Sequence, residues 1–78
     1  MIIYTKTNCQ PCRKVKAWLD KHNIKYEERN ILNREHAREY RALNSKGVPF
    51  VITDLKDKDG KQIAFVGNRI DLLQLIYK

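Results

Sequence analysis

The apolar positions of this chain change spacing from one stretch to the next, and those changes divide it into seven short elements. Ile2-Ile3-Tyr4-Thr5 is a β-branched and aromatic run, which predicts a strand. Cys12, Val15, Leu19 and His22 then recur at offsets of three and four, with Trp18 beside them and Arg13, Lys14, Lys16, Asp20 and Lys21 elsewhere. That is the stripe of an amphipathic helix of about three turns. Pro11 stands at its start, because a first-turn proline lacks only an N–H that would be unpaired there anyway. Asn23 is its stop.

Lys25 to Ile31 predicts a second strand of weak alternation. Asn33 is a candidate cap for a helix over 34–44, with Ala37, Tyr40 and Leu43 as its apolar face and Gly47 closing the region. Val48 to Thr53 reads as a buried strand entered through Pro49, and Ile63 to Val66 as its neighbour. The polar loop Asp54 to Lys61 joins them and ends in the hairpin signal Asp59-Gly60. Asn68 or Arg69 then opens a last helix carrying Ile70, Leu72, Leu73, Leu75 and Ile76. The order βαβαββα makes the first two strands a parallel pair and the last two an antiparallel hairpin. It predicts an α/β fold, a four-stranded mixed sheet flanked by three helices.

Composition narrows the class. At 78 residues the chain is expected to be a single domain over 1–78, and 42% hydrophobic with 32% charged residues is too apolar for disorder. No run approaches the ~18 apolar residues of a membrane span. The first residues show neither a basic segment nor a long apolar one, so a cytoplasmic location is expected. Net charge is +7, and residues 6–46 carry eleven Lys or Arg against five Asp or Glu. The charges are interleaved, as in Glu35-His36-Ala37-Arg38-Glu39, so a solvated surface that steers partners is expected rather than a nucleic-acid site. Aromatics at apolar rather than basic positions argue the same way. Neither membrane binding nor oligomerisation is expected; the chain reads as a monomer.

Both cysteines lie in Cys9-Gln10-Pro11-Cys12, with none left over for a disulfide framework. A disulfide needs Cα atoms within ~7 Å, which positions i and i+3 satisfy at a helix start. Unpaired backbone N–H groups converge there and favour thiolate over thiol. Cys9 is therefore the expected low-pKa nucleophile and Cys12, one turn in, the resolving thiol. Lys6 and Arg13 either add positive potential or are simply solvated; Tyr4 either reaches the site or packs. Pro49 opens a strand at the cost of a ladder donor. A cis Val48–Pro49 bond, placing the Val48 backbone beside Cys9 for a peptide or glutathione, is the expectation, against the usual trans form.

Tyr4-Thr5-Lys6, Cys9-Gln10-Pro11-Cys12 and Gly47-Val48-Pro49-Phe50-Val51 together resemble the glutaredoxin and NrdH-redoxin group along the whole chain. The resemblance implies a thioredoxin fold and a thiol–disulfide oxidoreductase, plausible as an electron donor to ribonucleotide reductase. In the tail, Gly67, Arg69 and Asp71 match the NrdH pattern W-S-G-F-R-P-D, while Phe65, Val66, Asn68 and Ile70 depart from it. Of the double glycine and acidic residues usual in glutaredoxins, only Gly67 and Asp71 correspond. Glutathione and thioredoxin reductase with NADPH thus both stand as the recharging system. Gly67, Asn68, Arg69 and Asp71 are the candidate rim, with backbone N–H groups at Gly67–Asn68 suited to a carboxylate.

A second resemblance runs from Cys12-Arg13-Lys14 through Ala17-Trp18-Leu19 to Glu28-Arg29-Asn30-Ile31, which is similar to the start of the arsenate reductase and Spx group. Spx proteins are redox-sensing regulators that bind RNA polymerase. That group carries a longer helical insertion and an arginine before the strand proline, where this chain has Val48. Metal chemistry is the other use of a C-x-x-C pair. His22 lies ten residues beyond Cys12, roughly 15 Å along a helix, so no resident metal site is expected. A glutathione-assisted iron–sulfur carrier, with two chains sharing a cluster, stays an alternative. Asp54, Asp57 and Asp59 read as a hairpin turn rather than a calcium loop.

Overall fold

A computed structural model describes residues 1–77. The elements are β1 (Ile2–Thr5), α1 (Gln10–Lys21), β2 (Glu27–Asn30), α2 (Arg34–Ala42), β3 (Phe50–Lys56), β4 (Gln62–Val66) and α3 (Ile70–Ile76). They form one four-stranded sheet of order β2-β1-β3-β4. β1 runs parallel to β2, with Ile3 opposite Glu28, and antiparallel to β3, with Ile3 opposite Val51. β3 and β4 are the antiparallel hairpin, with Val51 opposite Phe65. This is the expected mixed sheet.

Alternation along β1 divides the molecule into two layers of packing. On one face Ile3 meets Val15 and Leu19 of α1, Val51 of β3 and Leu73 of α3, all fully buried. Trp18, Tyr26, Phe65 and Tyr77 pack around this core. On the other face Tyr4 stacks on Phe50 at 6.2 Å between centroids and tilts against Tyr40 of α2 at 6.0 Å. Burying an aromatic or aliphatic side chain of this size contributes roughly 1.5–3 kcal/mol, so the two clusters hold the helices to the sheet. Of the two roles open to Tyr4, the structure selects packing; its hydroxyl accepts from the Arg29 guanidinium at 3.2 Å.

Helix ends follow side-chain chemistry. The Asn33 amide oxygen accepts from the N–H groups of Glu35 and His36 at 2.9 and 3.3 Å, capping α2 as expected. Asn23 and Asn44 adopt φ of 57° and 55°, the left-handed turn that ends α1 and follows α2. α2 therefore stops at Ala42, short of the expected 44, and Asn44 rather than Gly47 turns the chain. β3 differs more. Its ladder runs on through Asp54, Leu55 and Lys56, three residues expected in the loop. Asp54 receives the N-terminal ammonium at 2.7 Å, and an irregularity between Ile52 and Lys56 re-aims the strand. The remaining turn is closed by Asp57, whose carboxylate accepts from the N–H groups of Asp59 and Lys61, with Gly60 at φ 80°. Among the described residues no helix is long and apolar enough to cross a membrane.

Candidate active site

Three residues after β1 the backbone turns through Asn8, at φ 61°, and delivers Cys9 as the cap of α1. Asparagine tolerates this left-handed geometry better than other side chains with a Cβ. Cys9 and Cys12 are joined as a disulfide with Cα atoms 5.2 Å apart. The Cys12 N–H donates to Cys9 Sγ at 3.2 Å, and the Arg13 N–H to the Cys9 carbonyl at 3.1 Å. The first sulfur thus occupies the place of a capping oxygen, aimed at by an amide of the opening turn. Cys9 is 8% exposed and Cys12 1%. Both residues are buried, and Cys9 is the less covered of the two.

A cavity of about 240 Å³ opens beside the pair, lined by Lys6, Thr7, Asn8, Arg13, Lys16, Glu28 and Asn30. Lys6 and Arg13, for which two roles stood open, both line the cavity that holds the cysteines. Glu28 is the residue that reading the sequence missed. Its carboxylate accepts from Thr5 Oγ1 at 2.8 Å and from Lys16 Nζ at 2.9 Å. The Lys16 bond holds the Glu28 carboxyl below its ordinary range, against a burial effect that raises it, and Thr5 adds to the lowering. The signal lay in the period-two spacing of Tyr26, Glu28 and Asn30: Tyr26, just before β2, packs against the core, and the two polar residues that follow line the cavity. Three cations against one carboxylate give the cavity a positive balance, the sign that favours a sulfur anion.

The other expected site residues lie on the segments that enter β3 and α3. Val48 is half-buried, Pro49 is buried, and the bond between them is cis. The Pro49 carbonyl accepts the Gly67 N–H at 2.8 Å. Gly67 takes φ 95°, a conformation that side chains with a Cβ rarely adopt, so glycine is required there. Of the two amides expected to face a carboxylate, that of Gly67 is thus already bonded, and the Arg69 N–H donates to the Gly67 carbonyl at 2.9 Å. α3 begins only at Ile70, with Arg69 as its cap. Arg69 turns its guanidinium onto Asp71 at 3.1 and 3.2 Å, holding that carboxyl below its usual range, and Asn68 is exposed. Among the described residues no hydrogen bond joins this group to the cysteine cavity.

The glutaredoxin family model matches residues 1–41. The thioredoxin-like protein BC3987 is 30% identical in solved structure, covering 96% of each chain with a TM-score of 0.74. The NrdH-redoxin from Escherichia coli superposes with a TM-score of 0.74 over 99% of this chain and 93% of that one, at 23% identity, a likeness of fold. Both carry the thioredoxin fold onto this chain. Among curated proteins, the global transcriptional regulator Spx of Staphylococcus aureus is 53% identical over 34 residues, 44% of this chain and 25% of that protein. Spx 2 of Bacillus cereus is 52% identical over 33 residues. The chain spans about a quarter of the length of these curated relatives.

Proposed function

The chain belongs to the glutaredoxin family, with a thiol redox function, and on that premise we propose that it is a dithiol oxidoreductase reducing protein disulfides through Cys9 and Cys12. The carrying observation is the capping position of the Cys9 sulfur, on a residue less covered than Cys12 one turn behind it.

In the reduced chain the Cys9 thiolate attacks one sulfur of the substrate disulfide; the other sulfur leaves as a thiolate and takes a proton. Cys12 then loses its proton and attacks Cys9, releasing the second substrate thiol. Two electrons and two protons pass to the substrate, and the Cys9–Cys12 bond remains. Lys6 stabilises the anionic sulfur from the cavity side. The Val48–Pro49 edge and the exposed side chains of Asn68, Arg69 and Asp71 meet the incoming peptide or glutathione, with Gly67 shaping the turn that presents them. Ribonucleotide reductase is a fitting acceptor, and the reducing cytoplasm the fitting compartment.

Turnover of one peptide disulfide is measured with NADPH and thioredoxin reductase, and separately with NADPH, glutathione and glutathione reductase. Sustained turnover in one system, abolished by Cys9→Ser, supports the enzyme and identifies what recharges it. Absence of turnover in both sinks the reading. The identity to Spx favours a second reading, a redox switch on RNA polymerase. Its signature is a single oxidation of Cys9–Cys12 without NADPH consumption, together with oxidation-dependent binding to the polymerase.

A further inference from the structure

A second cleft, of about 540 Å³, lies against α2 and is lined by Ile31, Leu32, Arg34, Ala37, Arg38 and Arg41. At ~100° per residue the three arginines fall within an arc of roughly 60°. They are exposed, and among the described residues none of them forms an ion pair or a side-chain hydrogen bond. Of the nearby carboxylates, Glu39 and Glu27 pair with Arg29 and Glu28 with Lys16, while the exposed Glu35 pairs with none of the three arginines. Like charges at this spacing repel, and Arg34 sits in the first turn, where the helix end is itself positive. The arrangement is unfavourable for the free chain, and an anionic partner relieves it.

Ile31, Leu32 and Ala37 supply the apolar part of the lining. Leu32 is 68% exposed, and apolar residues set among arginines suit an apolar side chain flanked by carboxylates. No aromatic lines it, so it lacks the stacking surface that single-stranded nucleic acid uses. The cleft also abuts the redox cavity. Asn30 lines that cavity and the next residue, Ile31, lines the cleft. The Asn30 side chain binds Thr7 Oγ1 at 3.2 Å on one side and the Leu32 N–H at 2.8 Å on the other.

We propose that the Arg34–Arg38–Arg41 cleft docks the protein whose disulfide Cys9 attacks, and that it selects a segment bearing acidic side chains around an apolar one. The proposal rests on the oxidoreductase reading above. Guanidiniums recognise carboxylates by paired hydrogen bonds, and a patch of one sign raises the encounter rate of oppositely charged partners.

The test uses two synthetic peptides with an internal disulfide, one flanked by Glu-Leu-Glu and one by Gln-Leu-Gln. The pre-reduced chain is mixed with each and the second-order rate is read by quenched mass spectrometry. The Glu peptide is expected to react about tenfold faster, the equivalent of ~1.4 kcal/mol. The ratio falls to about one in about 1 M sodium chloride, where the screening length is ~3 Å. The variant carrying Arg34→Gln, Arg38→Gln and Arg41→Gln loses the preference without added salt. Equal wild-type rates, or a preference that survives salt or the triple variant, overturn the docking proposal. So does a single-stranded oligonucleotide that binds the cleft when the Glu peptide does not. Peptides with both cysteines replaced by serine separate this from the chemistry: binding of the Glu form, measured by fluorescence anisotropy, supports docking even where neither disulfide is reduced. In that case the oxidoreductase reading alone is lost.

Discussion

Replacing Cys12 with serine separates the work of the two sulfurs. Cys9 keeps 8% of its surface and Cys12 1%, so a foreign disulfide meets Cys9 first. The mixed disulfide that forms is then resolved by a sulfur whose Cα lies 5.2 Å from that of Cys9. A well-oriented intramolecular reaction corresponds to an effective concentration on the order of 10⁵ M. Against that, an external thiol at ~10 mM is slower by roughly 10⁷, and by about 10⁴ if positioning supplies a thousandth of the limit. Pre-reduced wild type mixed with one equivalent of a disulfide joining two separate peptides is therefore expected to yield oxidised chain and two free peptide thiols. Under the same conditions Cys12→Ser accumulates a one-to-one covalent adduct, seen by intact mass after acid quench and persisting long after wild type has finished. If the adduct appears instead on Cys9→Ser and not on Cys12→Ser, the assignment of nucleophile and resolver is reversed and the reasoning from exposure is wrong.

Three further perturbations test the frame around the site. The Glu28 carboxyl is held below its ordinary value by Lys16 and Thr5, so its contribution to stability is complete above the unfolded value and is lost as pH falls through the folded one. The difference in melting temperature between wild type and Glu28→Gln should shrink on acidification below about pH 4.5; a difference independent of pH contradicts this. Thr53 is fully buried, donates to the Ile63 carbonyl at 2.8 Å and accepts the Leu55 N–H at 3.2 Å. Thr53→Val strands both groups at ~1–3 kcal/mol, offset by about 0.8 kcal/mol of added apolar burial, and should lower the melting temperature by roughly 5–15 °C. Leu19→Ala empties the centre of the α1 packing and should cost about 2–5 kcal/mol of the ~4–12 kcal/mol typical for this length, read as a lower urea midpoint at unchanged slope.

The cysteine pair could be recognised from the chain alone because every part of it is local. Helical periodicity from Cys12 to Leu19, Pro11 in the first turn and a spacing of three together place both sulfurs, whatever lies across the molecule. Asn33 as a cap and Asp59-Gly60 as a turn were legible for the same reason. Glu28 was not, because its place beside Cys9 depends on the parallel register of β1 and β2, which brings residue 28 opposite residue 3. Nor was the length of β3: Asp54–Lys56 are polar, and they extend only because β4 lies alongside and the N-terminal ammonium meets Asp54.

The basic surface shows the division most clearly. The spacing of Arg34, Arg38 and Arg41 is written in the sequence, yet the glutamates between them make it read as evenly mixed charge. Arg29 arrives from β2 and takes Glu39, and Glu35 pairs with none of the three arginines, so the face keeps its positive excess. Local spacing sets which side chains share a face. Whether such a face is neutralised or left open depends on groups distant in the chain, and only the packed sheet and helices bring those groups within reach.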